Sequence, residues 1–347
     1  MSRLALAISC LAVWGTAALG AEWTESTHLI QDGVQQVKSL AALDDSRVWA
    51  GVQYNNVYFY DGAGWELQTS TWAGETMAIY GLCAVTENDV WMAGKTDGSG
   101  QGRVYYFDGS DWELQTELGA WMYCVYAPSD GEIFAAGASG VVIRSVDIGA
   151  SWSISTDSGT GLWMALGGLD ASHVWAVGDT NPSRILFWDG SAWSEQTRIN
   201  LGSSRYLRGV WAKSDSEVWA AGDSGYILRF DGSEWAVSTV VSGGSYNFGP
   251  VAGTAATQVW AGPANTSGNL FFWDGASWSV DTVMSGSREP VSLSTAAYGS
   301  TAVWMGTENA HIFRYLVPSP TPELTASPTP SPSVTPTPIY VDRKSVV

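Results

Sequence analysis

Short apolar runs alternate with polar turns along most of this chain, and the alternation repeats. One segment shows the unit clearly: Tyr206–Ala212, Glu217–Gly222, Tyr226–Phe230 and Trp235–Val240 are four β-prone runs split by turns of Ser, Asp and Gly. The turns are short enough for hairpins, so each unit predicts four antiparallel strands. The first aromatic of the unit falls at Trp49, Trp91, Phe134, Trp175, Trp219, Trp260 and Trp304, at intervals of 41 to 44 residues. A second Trp follows at 65, 112, 152, 193, 235 and 278. Self-similarity at this period is the mark of a circular repeat fold. A lone four-stranded unit cannot bury both faces, but units stacked in a ring cover one another. The expected fold is therefore all-β, a seven-bladed β-propeller of four-stranded antiparallel blades over residues 21–317.

The ends of the repeat array complement each other. The seventh unit runs through Trp304 and His311–Tyr315 but lacks the Asp-Gly turn and second Trp. The missing strand is expected at the other end, where Ala21–Thr27 is similar to Ser233–Thr239 and Trp23 precedes Trp65 by one period. The last blade should thus be closed by the N-terminal strand, which removes two open sheet edges.

Outside the array, Arg3 is followed by an apolar run from Leu4 to about Leu19, then by small residues at Gly20 and Ala21. That order reads as a cleaved export leader over 1–20, and the run is short for a membrane span. A secreted, periplasmic or cell-surface bacterial location follows, with no membrane insertion after cleavage. Residues 318–338 form a Pro/Thr/Ser-rich linker, an extended and coreless composition. Residues 339–347 end in Asp-Arg-Lys-Ser-Val-Val, which resembles the translation of a sequencing adapter. The native frame is therefore expected to continue into a further domain.

Charge narrows the partners. With 16 Lys and Arg against 34 Asp and Glu, the 347-residue chain carries a net charge of −18. Nucleic acid is excluded as a partner, because binding it requires basic patches. Cys83 and Cys124 fall in innermost strands of neighbouring repeats, about two residues out of step, so a disulfide between them is allowed in an oxidising compartment.

The turn before the second Trp carries a family resemblance. Ser145-Val146-Asp147-Ile148-Gly149-Ala150-Ser151-Trp152 resembles the Asp box of BNR and sialidase-type propellers. Shortened versions begin at Asp61, Asp108, Asp189, Asp231 and Asp274. The region is similar to BNR-like and YVTN-like repeat propellers of exported bacterial proteins. The resemblance implies that these Asp residues are scaffold, away from any active face. It also raises sialidase-type glycoside hydrolysis as an alternative, but the Arg-Ile-Pro signature of that family is absent. Extracytoplasmic assembly or scaffolding is a third reading, since related propellers serve that role.

Other chemistry is thin. Gly222-Asp223-Ser224-Gly225 has the look of a serine nucleophile segment, yet Ala138-Ser139-Gly140 occupies the same turn in another unit. His28, His173 and His311 have no ligand spacing, so zinc is not expected. Acids gather in the first hairpins (Asp44, Asp45, Glu87, Asp89, Asp130, Glu132, Asp170, Asp215 and Glu217) and read as turn chemistry. No cofactor is expected, with calcium the one ion such a ring could attract. Aromatics cluster where chains enter the innermost strands: Trp72, Tyr80, Trp121, Tyr123, Trp163, Tyr206 and Tyr246, joined by Arg208. The expectation is a non-catalytic, monomeric recognition module for extracellular glycan or protein, binding through these residues. The longer loops Lys95–Gly102, Asp179–Ser183 and Pro263–Asn269 lie on the same face.

Overall fold

The computed structural model describes residues 23–316, except 30–34, 70–71, 73, 130, 158–159, 180–182, 200–205, 242–245, 264–268, 283–288 and 296–301. The proposed leader and linker, with Asp130, lie outside the described residues. Seven four-stranded antiparallel sheets follow one another as blades around a ring. Blades 1 to 6 are consecutive in sequence, spanning 37–69, 77–118, 122–157, 162–199, 207–240 and 248–282. Blade 7 combines Pro290–Thr295, Ala302–Thr307 and His311–Leu316 with Trp23–His28, which pairs antiparallel to His311–Leu316 as its outer strand. The expected closure is thus observed.

Burial explains the composition. The second strand of each blade has neighbours on both faces; Val48–Val52, Glu217–Gly222 and Ala302–Thr307 are buried at every position. Trp49, Trp91, Phe134, Trp175, Trp219, Trp260 and Trp304, one per blade, are each at most 1% exposed. They fill the wedges that widen from the axis outwards, and truncating such a ring to Ala costs about 3–5 kcal/mol.

The outer Trp residues join each blade to the preceding one. Trp65 meets Trp304 edge-on at 5.9 Å, Trp152 meets Trp91 at 6.1 Å, Trp193 meets Phe134 at 5.7 Å and Trp278 meets Trp219 at 5.4 Å. Four outer indole N–H groups reach a side chain three positions after the outer Trp of the preceding blade, whereas those of Trp112, Trp152 and Trp278 are buried without an acceptor among the described residues. Trp65 donates to Ser26, Trp193 to Ser155, Trp235 to Gln196 and Trp23 to Asp281. At Asp281, Oδ2 accepts from both Trp23 (3.3 Å) and Trp260 (3.4 Å). Burial pushes this carboxyl above its ordinary range, against the pull of the two indole donors.

Near the axis, serines link neighbouring inner strands: Leu82 N–H donates to Ser39 Oγ at 2.8 Å and Ala42 N–H to Ser294 Oγ at 3.0 Å. The strands also approach closely at Gly81, where a methyl group would sit 2.9 Å from Cys124 Cα. Cys83 and Cys124, between which a disulfide was allowed, are both free thiols in this structure. They face different blade interfaces. Cys83 Sγ accepts from Ala127 N–H at 3.3 Å, whereas Cys124 Sγ lies 3.6 Å from Ala136 O and 4.0 Å from Trp163 O.

Candidate functional site

The two faces of the ring differ. One carries the first hairpins and the Asp turns; the other carries the entries to the inner strands and the turns between second and third strands. The Asp turns are self-contained. Asp231 Oδ1 accepts from Ser233 and Glu234 N–H at 2.8 and 3.0 Å, and Asp61, Asp108, Asp189 and Asp274 repeat the pattern. Asp147 sits in the longer version, accepting from Ser151 N–H at 2.9 Å. A glycine follows with φ near +95° in the short turns, a conformation that excludes a Cβ at little cost only for glycine. These donors hold the carboxyls down; Asp108 and Asp231 reach about 2.

The hairpin acids are engaged locally as well. Asp44 accepts from Ser46 and Arg47, Asp89 from the Trp91 indole, Glu132 from Arg144, and Glu217 from Trp219 and Arg229. Among the described residues no three His, Cys, Asp or Glu side chains gather in a metal-binding group. A central cavity of about 480 Å³ is lined by all seven inner strands, from Leu40–Leu43 round to Leu293–Thr295. Among the described residues Lys213 is the only charged side chain in its lining.

The opposite face sorts the aromatic candidates into three groups. Trp72 and Trp163 are corrections to the expected ligand contacts: they are 2% and 0% exposed, with indoles donated to Asn55 O (2.6 Å) and Gly140 O (2.9 Å). Both serve as wedge filling. Tyr206, Arg208 and Tyr246 lie around blade 5. There Arg208 donates to Asp223 at 2.7 and 3.2 Å and lies 5.4 Å from the Tyr206 ring centre. Asp223 also accepts from Tyr206 N–H, and Tyr246 packs edge-on against Phe271 at 5.3 Å. Arg208 is thus held by a protein carboxylate rather than presented to a ligand. Ser224 in this turn has φ +58°, as Asn55, Ser139 and Ala310 do near that value in other blades. The geometry belongs to the repeated turn, not to a nucleophile.

Tyr80, Trp121 and Tyr123 form the third group, and the structure brings them together. Tyr80 and Tyr123 are 5.1 Å apart at 50°, and Trp121 meets Tyr123 at 6.4 Å and 76°. Trp121 stays 38% exposed. The fold adds members that the sequence reading did not single out. Tyr54, 43% exposed, is bridged to Ala78 across the blade 1–2 boundary, beside Tyr80. The turn behind it is fixed by Asn55, whose Oδ1 accepts from Met77 N–H at 2.6 Å. Lys95 Nζ lies 4.0 Å over the Trp121 ring. Asp97 follows in the same loop, anchored by its N–H to Thr76 O. Beneath the patch, Arg103 joins Glu75 and Glu117, each at 2.6 Å, tying the entry loop of blade 2 to its outer strands. Burial, with the nearby Tyr123, Asp97 and Tyr54, raises the Tyr80 phenol, and burial raises Tyr123. Both remain hydrogen-bond donors at neutral pH.

The result is a contiguous, partly exposed aromatic ridge over blades 1 to 3, flanked by one cation and one anion. No family model matches this chain, and no curated protein matches its sequence. Solved structures do. YCF48 bound to D1 peptide aligns over 90% of this chain and 99% of its own, with TM-score 0.66 and 17% identity. YCF48 from Cyanidioschyzon merolae aligns over 85% and 99%, with TM-score 0.63 and 15% identity. Virginiamycin B lyase from Staphylococcus aureus aligns over 85% and 99%, with TM-score 0.69 and 13% identity. At these identities the likeness establishes the seven-bladed propeller fold, which hosts both peptide-bound and lyase proteins and so leaves function to the site.

Proposed function

We propose that this protein is a non-catalytic recognition module that grips an extended polypeptide with the aromatic ridge of blades 1 to 3. The observation that carries the reading is the contiguity of Tyr54, Tyr80, Tyr123 and Trp121 beside Lys95 and Asp97. Tyr and Trp give large contact area with few torsions to freeze and a polar tip for a partner carbonyl, which is why they dominate binding hot spots. A solved propeller of the same fold bound to a peptide supports this choice. The apolar N-terminal segment supports a site of action outside the cytoplasm, and the Asp turns keep the proposed BNR-like kinship as a scaffold feature.

The test is a peptide array and a glycan array probed with the full chain and with Trp121→Ala and Tyr123→Ser. Peptide selection weakened by about 2 kcal/mol, roughly 30-fold, in either variant is the expected result. Selective glycan binding, or peptide binding indifferent to both substitutions, would overturn it.

A further inference from the structure

We infer that the polypeptide held by the ridge presents a carboxylate, and that Lys38 of blade 1 is the residue that takes it. The inference rests on the polypeptide-binding reading above and names the charge its ligand carries. The ridge face is built on a repeated frame. In blades 1, 3, 5 and 7 the residue after the second strand donates its N–H to the carbonyl of the residue before the inner strand. The pairs are Gln53 to Gln36, Ala138 to Trp121, Asp223 to Tyr206 and Glu308 to Glu289, at 2.8 to 3.1 Å. Near the start of the inner strand a bulge then leaves one residue out of register with the second strand: Lys38 in blade 1, Tyr80 in blade 2, Tyr123 in blade 3 and Arg208 in blade 5. The rings of Tyr80 and Tyr123, 5.1 Å apart, show that bulge residues of neighbouring blades meet. Lys38 is next in that series, one blade before Tyr80.

Blades 1 and 5 both place a cation in this frame and differ in what answers it. In blade 5 the frame residue is Asp223, whose carboxylate receives Arg208 at 2.7 and 3.2 Å. In blade 1 the frame residue is Gln53, which carries no charge. Lys38 is half-buried, and among the described residues no acid is paired with it. Burial alone pushes its ammonium below the ordinary lysine range, while Glu289 and Glu308 of blade 7 are hydrogen-bonded to each other. A cation that has lost water without gaining a counter-ion recovers that cost when a ligand supplies one. Gln53 Nε2 donates to the Tyr54 hydroxyl at 3.4 Å, which leaves the phenol proton for a ligand oxygen. A net charge of −18 repels a polyanion, so the ligand brings a single carboxylate rather than an acidic run. An Asp or Glu side chain and a free chain terminus share this chemistry.

The experiment is an array of short random peptides, each printed with a free C-terminus and as the amide, probed with the full chain. Peptides that carry one carboxylate should bind at least about tenfold more tightly than their neutral counterparts. Enrichment that follows Asp or Glu and survives amidation assigns the side chain; enrichment lost on amidation assigns the terminus. Lys38→Met should erase the enrichment, and Lys38→Glu should reverse it in favour of peptides carrying one Lys or Arg. Gln53→Asp copies blade 5 by giving Lys38 its own counter-ion. It should weaken carboxylate peptides by about tenfold without lowering the melting temperature. Trp121→Ala should weaken charged and neutral peptides alike. The same enrichment in wild type and Lys38→Met, or no effect of Gln53→Asp, would overturn the inference and leave the ridge reading standing. If no peptide binds, both readings fall.

Discussion

Asp281 makes ring closure sensitive to a single carboxyl group. It is the acceptor for Trp23 on the closing strand and for Trp260 on its own blade, through one oxygen. Its carboxyl is raised by burial. An acid raised in the folded state is not penalised while both states hold the proton, below about pH 3.9. As pH rises, the unfolded chain releases its proton first, and stability falls until the folded carboxyl ionises as well. Once the folded carboxyl has ionised as well the full penalty is present, about 1.4 kcal/mol for every pH unit of elevation. Asp281→Asn removes the charge and keeps an oxygen acceptor, so it should stabilise the ring at pH 7, with Tm rising by about 2 °C per kcal/mol. Asp281→Leu orphans two indole donors and should cost about 1–3 kcal/mol for each. The assay is thermal unfolding at pH 7 and pH 4, followed by Trp fluorescence. The Asn advantage should be smaller at pH 4 than at pH 7, because the raised carboxyl takes up its proton earlier than an ordinary one as pH falls. An Asn variant less stable than wild type at pH 7, or an advantage independent of pH, would refute the argument.

Two other outcomes follow from the same physics. Asp108 and Asp231 are held near 2, so their turns contribute stability above about pH 4 that is lost as pH falls towards 2. Asp231→Ala should flatten the acid limb of the pH–Tm curve, and an unchanged limb would count against it. Cys83 is pushed up to about 11 and Cys124 is raised by burial. Both should resist a thiol reagent at pH 8 until denaturant is added, and peptide mapping should show each as a free thiol; rapid native labelling of either would contradict their placement.

The fold was legible because its determinants recur. The wedge aromatics, the Asp-Gly turns and the displaced Trp23 strand are local patterns repeated with one period, and each has one physical reason. The site was less legible because orientation decides it. Trp163, inside an inner strand, points into a wedge, whereas Trp121, just ahead of one, stays 38% exposed. No residue type separates the two. Tyr54 comes from a different turn of a different blade and reaches Tyr80 only because the blades stack. The acceptors for the four paired outer indoles are Ser, Gln and Asp at one repeat position, so no motif marks them. The cysteines looked bridgeable because their strands are adjacent, yet adjacent strands here turn side chains into separate interfaces.

The closing strand has a consequence for the order of events during synthesis. Its pairing with the last strand spans 283 to 292 residues of sequence, from His28–His311 to Trp23–Tyr315. Blades 1 to 6 are each built from consecutive chain and can form as the chain emerges. The first strand made, by contrast, waits for the last. At about 5–20 residues per second that delay is on the order of 15 to 60 s, with an unpaired strand exposed throughout. A circular permutant that joins Leu316 to Trp23 and opens the ring between two other blades would make every blade from consecutive chain. It would exchange one long-range closure for contacts between neighbouring strands, and it should fold faster than the natural order while keeping the same ring.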